Sequence, residues 1–220
     1  MLRVRDAMTR EVLTVEPETS VAEAWGICRE SNIRHLPVME GGRMIGIVSD
    51  RDLREVSPRR ASFDEENTLG WVRVREIMST ELVTIHPLDT IEHAASEIYE
   101  HKINCLPVVA EGELVGILTS SDLMRTLIEL LGAHGPGSWL EVEVPNEPGA
   151  LAGVTDLIRD RHVNIASVFL GPASRATYRT IVLRLETTAP SSIAESLTAA
   201  GYVVTSTEST APAERNLERR

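Results

Sequence analysis

The stretch Ile33-Arg34-His35-Leu36-Pro37-Val38, followed by Gly46-Ile47-Val48-Ser49-Asp50-Arg51-Asp52-Leu53, returns seventy residues later as Ile103-Asn104-Cys105-Leu106-Pro107-Val108 and Gly116-Ile117-Leu118-Thr119-Ser120-Ser121-Asp122-Leu123. Working outward, residues 4–53 lie on residues 74–123 without a gap, with identities at Val4/Val74, Met8/Met78, Thr14/Thr84, Pro17/Pro87, Ala24/Ala94 and Gly42/Gly112 among others. Such self-similarity marks a duplicated structural unit.

Both copies read alike. A short strand (Val12 to Val15, Leu82 to Ile85) precedes a proline, and a capping pattern, Ser20-x-x-Glu23 or Asp89-x-x-Glu92, opens a helix with one apolar face. Two strands joined by a glycine-containing turn follow, Leu36 to Met39 with Met44 to Val48 and Leu106 to Val109 with Leu114 to Leu118. A second helix begins after Ser49 or Thr119. A unit of roughly 50 residues buries too little surface to stand alone, so the copies are expected to pack about a pseudo-twofold axis and to form two related clefts.

Composition narrows the function classes. No run approaches the ~18 apolar residues of a membrane span, and the charged N-terminus does not resemble a secretory signal, so a cytoplasmic protein is expected. The net charge of −11 opposes nucleic-acid binding. The two cysteines, Cys28 and Cys105, form no metal-spaced cluster, so neither a metal nor a resident cofactor is expected. Phosphate-loop, nucleophile-elbow, zinc-protease and dinucleotide-binding motifs are absent, which favours a non-catalytic protein.

The segments IRHLPV with GIVSDRDL and INCLPV with GILTSSDL resemble the tandem cystathionine-β-synthase motif pair, the CBS or Bateman module. The resemblance assigns residues 1–57 to the first motif, 58–70 to a polar connector and 71–131 to the second. Residues 132–138, GAHGPGS, read as a linker. Beyond it a strand-helix-strand-strand-helix-strand order, Trp139 to Val144, Leu151 to Asp160, Val163 to Leu170, Thr177 to Glu186, Ser191 to Ala200 and Tyr202 to Ser206, predicts a ferredoxin-like domain over 139–208, with 209–220 as a flexible tail. Asn146-Glu147-Pro148-Gly149-Ala150-Leu151 and Val163-Asn164-Ile165 resemble an ACT domain, and the whole layout is similar to the acetoin-utilisation protein B family. The expected class is α+β: a pseudo-twofold CBS pair followed by a βαββαβ ACT domain.

Ser49 with Asp52, and Thr119 with Asp122, place a hydroxyl and a carboxylate three residues apart at a strand-to-helix junction. That spacing serves a helix cap with no ligand at all. It equally serves a ribose, whose two adjacent hydroxyls suit a carboxylate acceptor. The CBS resemblance implies the ribose role for these four residues and base contacts for Thr9, Leu13, Ile33, Ser79, Val83, Ile103, Asn104 and Cys105. It further implies phosphate contacts for Arg34, whose planar fork suits an anion, for Arg51 in a first helical turn, and for His35, which by itself reads equally as a plain buried or surface histidine. By the family's pseudo-twofold logic, one cleft combines Thr119 and Asp122 with Thr9, Leu13, Ile33, Arg34 and His35. The other combines Ser49 and Asp52 with Ser79, Val83, Ile103, Asn104 and Cys105. Gly46 and Gly116 admit either a close neighbour or a ligand.

In the ACT-like part, Asn146, Pro148, Gly149, Ala150 and Leu151 suit either a plain turn or a site for an amino-acid head, with Asn164 supplied by a second subunit. The resemblance therefore implies a regulatory protein binding an adenine nucleotide such as AMP, ADP or ATP or another adenosyl ligand, and an amino acid or small metabolite. A homodimer is expected, with a partner enzyme as the regulated target. The alternative is an adaptor whose clefts stay empty.

Overall fold

A computed structural model describes residues 2–56, 72–132, 135–175 and 177–210. The expected connector, 58–70, and the tail beyond residue 210 lie outside the described residues. The chain divides into two compact units, Met1–Met124 and Arg125–Arg220.

In the first unit, copy one forms α1 (Val4–Ala7), α2 (Val21–Glu30), β1 (His35–Glu40), β2 (Arg43–Ser49) and α3 (Asp50–Val56). Copy two forms a 3-10 turn (Val74–Glu76), α4 (Ile91–His101), β3 (Cys105–Ala110), β4 (Glu113–Thr119) and the first residues of α5 (Ser120–Leu130), a helix in which the unit boundary falls after Met124. Helix α2 starts where the Ser20 hydroxyl accepts the Glu23 N–H at 3.2 Å. Helix α4 starts one residue later than its sequence pattern suggested, at Thr90, whose hydroxyl accepts the His93 N–H at 3.2 Å. The Asp89 carboxylate instead accepts the His86 N–H at 2.9 Å, closing the preceding turn. Each hairpin turns through two residues of positive φ, Gly41 and Gly42 at 57° and 81° and Glu111 and Gly112 at 53° and 84°, the handedness that matches strand twist.

The strands expected at Val12–Val15 and Leu82–Ile85 shorten to single parallel bridges, Val15 to Val38 and Ile85 to Val108. Pro17 and Pro87 carry no N–H, so the ladder has no donor two residues on.

The two copies exchange their leading segments. The Val4 and Arg5 amides donate to the Asp89 and Pro87 carbonyls at 2.9 and 3.0 Å, while the Val74 and Arg75 amides donate to Thr19 and Pro17 at 2.9 and 3.1 Å. Val4 and Ala7 are accordingly buried with Ile85, Ala94, Leu106, Val108 and Leu118 of copy two. Val74 completes the core of Val15, Val21, Ala24, Leu36, Val38, Val48 and Leu53 in copy one. Just downstream, Thr9 and Ile117 exchange both backbone hydrogen bonds at 2.9 Å, and Ser79 and Ile47 do so at 2.9 and 3.0 Å. The sulfur atoms of Met8 and Met78 lie over Gly116 and Gly46, which explains both glycines by a close neighbour.

In the second unit, β5 (Gly137–Pro145), α6 (Ala150–Asp160), β6 (Ile165–Arg175), β7 (Tyr178–Leu185), α7 (Ser191–Ala199) and β8 (Val203–Thr210) form an antiparallel sheet of order β6-β7-β5-β8. This is the expected βαββαβ arrangement. Strand β5 begins two residues inside the stretch expected to be linker, and β8 runs two residues past the expected domain end. Leu140, Val142 and Val144 of β5 and Ile181, Leu183 and Leu185 of β7 are buried with Val154, Ile158, Ile193 and Leu197 of the helices. On the other face, buried Arg184 lies 5.3 Å over the Trp139 ring and donates to the Gly135 carbonyl at 2.8 Å. Strand β6 is an edge, and its Val168 and Leu170 are 37% and 58% exposed.

A Cβ at Gly46 or Gly116 would sit 2.5 or 2.7 Å from a methionine sulfur and 3.1 or 3.0 Å from the Ser79 or Thr9 carbonyl. Gly46→Ala and Gly116→Ala are therefore expected to cost about 1–3 kcal/mol in urea unfolding through overpacking. Gly26→Ala in α2, with nothing within 4 Å, should stabilise by about 0.5–1 kcal/mol. Equal behaviour at all three positions would refute the packing of the methionines.

Candidate ligand-binding clefts

The hydroxyl–carboxylate pairs are helix caps. At the start of α3, the Ser49 N–H and hydroxyl donate to Asp52 Oδ2 at 2.8 and 2.7 Å, and the Asp52 N–H donates back to Ser49 Oγ at 3.3 Å. At the start of α5, the Thr119 N–H and hydroxyl donate to Asp122 Oδ2 at 2.9 and 2.6 Å, and the Asp122 N–H returns to Thr119 Oγ1 at 3.2 Å. The hydroxyl protons are thus committed to the carboxylates, and toward a ribose these hydroxyls offer a lone pair. A carboxylate has lone pairs for several donors, and Asp52 Oδ1 takes part in none of these bonds. Capping and ribose binding are compatible uses of one side chain. Asp122 is 6% exposed, deeper than the partly exposed Asp52.

The backbone sorts the remaining candidates differently from the cross-copy grouping expected of them. The Arg34 carbonyl accepts the Asp50 N–H at 2.8 Å and His35 pairs with Ser49, so Ile33, Arg34 and His35 border the Ser49–Asp52 cap of their own copy. The Asn104 carbonyl accepts the Ser120 N–H at 2.9 Å and Cys105 pairs with Thr119, so Ile103, Asn104 and Cys105 border the Thr119–Asp122 cap. The physical reason is the helix start: the first amide of α3 or α5 needs an acceptor, and the neighbouring strand supplies it. The expected crossing holds for the leading segments, because Thr9 bridges to Ile117 and Ser79 to Ile47. Leu13 follows Thr9 and is 47% exposed, and Val83 follows Ser79 and packs against the copy-two core. The first cleft thus gathers Ile33, Arg34, His35, Ser49, Arg51 and Asp52 with Ser79, and the second gathers Ile103, Asn104, Cys105, Thr119 and Asp122 with Thr9.

Charge differs between them. Arg54 is held by Asp50 at 2.9 Å, whereas Arg34 and Arg51 have no ion pair or hydrogen-bonded side-chain partner among the described residues. Burial pushes the His35 imidazole below its usual pKa, Asp50 and Asp52 pull it back up, and Arg34 lowers it further. Burial thus favours the neutral ring, which would meet a phosphate as a hydrogen-bond donor rather than as a cation. Burial pushes the Cys105 thiol up to about 12, and burial together with Asp50 pushes Cys28 up to about 11. A cavity among Thr14, Glu16, Glu18, Thr19, Glu23 and Ile27 lies apart from both clefts, and its three carboxylates disfavour an anion.

In the second unit, the Asn146 N–H donates to Thr177 O at 2.9 Å, and Gly149 stands at the start of α6 with a φ of 92° and no capping side chain. Pro148 is exposed, Ala150 begins the helix, and Leu151 is 39% exposed. Asn164 is not brought near them. It donates to Glu186 Oε2 at 3.0 Å at one end of β7, whereas Asn146 lies at the other, on the order of 20 Å along the strand. Sequence reading missed Arg179, which pairs with Val144 and whose Nε is buried with no hydrogen-bond partner among the described residues. The signal was present, since Arg179 occupies the inward step of the alternation continued by Ile181, Leu183 and Leu185.

The CBS domain family matches residues 4–59 and 74–129, together half of the chain. The chain belongs to the CBS-domain family. The ACT domain family matches residues 138–202. Against the CBS-domain protein YhcV of Bacillus subtilis (strain 168) the identity is 37% over 123 residues, 56% of this chain and 84% of the relative. A Vibrio cholerae protein named for acetoin utilization, AcuB, is 32% identical with a TM-score of 0.53, over 60% of this chain and 94% of that one. The CBS domain pair of protein MJ0100, solved in complex with 5′-methylthioadenosine and S-adenosyl-L-methionine, is 27% identical with a TM-score of 0.50, over 58% of this chain and 96% of that one. Among the described residues no helix is long and apolar enough to cross a membrane, and no group of three or more potential ligands is arranged for a metal ion.

Both thiols of the CBS pair stay protonated at pH 8, and both are buried. Thiol reagents such as 5,5′-dithiobis(2-nitrobenzoate) should then label the folded protein slowly and the urea-unfolded protein at once. Rapid labelling of a folded cysteine at pH 8 would contradict their burial.

Proposed function

We propose that the CBS pair binds an adenine nucleotide or related adenosyl ligand and that the chain is a regulatory protein, working in the cytoplasm on a partner enzyme. The observation that carries this reading is the repeated cap, in which Asp52 and Asp122 stand at helix starts beside an exchanged backbone bridge from the other copy. The similarity to the MJ0100 pair, which holds two adenosyl compounds, supports the same ligand class. The ACT domain then serves to bind an amino acid or small metabolite, to pair two chains, or both. A second reading, an adaptor with empty clefts, is favoured by the cap itself, since Oδ2 of each aspartate is already satisfied.

Thermal shift with AMP, ADP, ATP, S-adenosylmethionine and a set of amino acids separates the two. A ligand at 100 times its Kd adds about 2.7 kcal/mol of stability. Asp52→Ala and Asp122→Ala should each lose a cap, at a cost of about 1 kcal/mol, and weaken binding at their own cleft while the protein stays folded. Wild-type affinity in both variants would leave the aspartates with capping alone.

The same reading makes the chain a homodimer, supported by the exposed Val168 and Leu170 on the edge strand β6 of the second unit. Light scattering on the full chain at micromolar concentration should give twice the chain mass, and a monomer would remove both the pairing and any site shared by Asn146 and Asn164.

A further inference from the structure

We propose that the two clefts divide their ligands by charge: the one built on Ser49–Asp52 takes the phosphate-bearing adenine nucleotide, and the one built on Thr119–Asp122 takes an adenosyl ligand with no 5′-phosphate. This rests on the adenosyl-binding reading above and deepens it. The backbone places Arg34 and Arg51 at the first cleft, through the Arg34 carbonyl that accepts the Asp50 N–H and through the first turn of α3. Both guanidinium groups lack an ion pair or side-chain hydrogen bond among the described residues, while the nearby Asp50 is occupied by Arg54. Two uncommitted cations beside a ribose-type carboxylate suit a phosphate, and the Arg fork is shaped for its oxygens.

The repeat supplies an internal control. At the matching positions the second cleft has Asn104 for Arg34, Cys105 for His35 and Ser121 for Arg51, all neutral. Its Asp122 is the more deeply buried carboxylate. A phosphate brought near that carboxylate would meet like charge in a medium that screens poorly, and the positions matching Arg34 and Arg51 carry no guanidinium to bind it. Arg10, on the leading segment that reaches this cleft, donates to the Arg5 carbonyl at 3.1 Å. An adenosine carrying a thioether at its 5′ carbon keeps the ribose and base contacts and avoids the repulsion.

Calorimetry on the full chain with AMP and 5′-methylthioadenosine as probes tests the division. The wild type should bind both at once, with neither displacing the other. Arg34→Gln combined with Arg51→Gln should weaken AMP by about tenfold or more and leave 5′-methylthioadenosine unchanged. Asp52→Asn, which keeps a capping oxygen, should weaken AMP, and Asp122→Asn should weaken 5′-methylthioadenosine. Asn104→Arg with Ser121→Arg should raise AMP stoichiometry from one to two per chain. Mutual displacement of the two probes, or equal loss of both in the arginine variant, overturns the division and leaves the adenosyl-binding reading standing. Binding of neither probe by the wild type overturns both.

Discussion

The first unit depends on an exchange of short segments. Val4 and Ala7 of α1 complete the core of copy two, and Val74 of the 3-10 turn completes the core of copy one. Val4 and Val74 are each fully buried in the opposite copy. Each valine, when fully buried, contributes about 1.5–3 kcal/mol, and neither can do so without the other copy folded around it. The unit is thereby coupled: one half cannot lose its structure without opening the core of the other.

The same exchange places the clefts. Once Val4 and Val74 are anchored, the chain that follows must pass over the facing hairpin, where Thr9 meets Ile117 and Ser79 meets Ile47. Met8 and Met78 then need room above the strand, and glycine at 116 and 46 provides it. Two residues beyond Ile47 and Ile117 stand Ser49 and Thr119, so each cap lies beside a segment borrowed from the other copy. A site made this way has one wall from each half, and a ligand joining the walls stabilises their mutual packing. That is a physical route by which ligand binding can alter what the pair presents to a partner.

Much of this was legible in the sequence because the repeat, the turn glycines and the cap spacing are local signals. The hairpins, the pseudo-twofold pair and the βαββαβ order follow from them. The exchange was not legible, since Val4 and Val74 look the same whether they bury in their own copy or the other. Nor was the grouping of Arg34 and His35 with Ser49 and Asp52, which depends on one backbone bond from Asp50 to the Arg34 carbonyl. The cap at Thr90 rather than Asp89 reflects a one-residue ambiguity between two good capping residues. Residue type alone did not decide His35 either, and burial there favours the neutral imidazole.

The ACT domain follows its alternation closely, with Leu140 facing Leu183 and Val142 facing Ile181 across the paired strands. Arg179 is the exception within that register, a charged residue at an inward step. For the CBS pair, the central claim is that each ligand site is shared between copies. Backbone amide NMR on the full chain, titrated with AMP, tests it most directly. The account predicts shifts at both walls of an occupied cleft, Ile47 to Asp52 together with Ser79 to Val83, or Ile117 to Asp122 together with Thr9 to Leu13. Shifts confined to one copy, or none at Asp52 and Asp122, would contradict it.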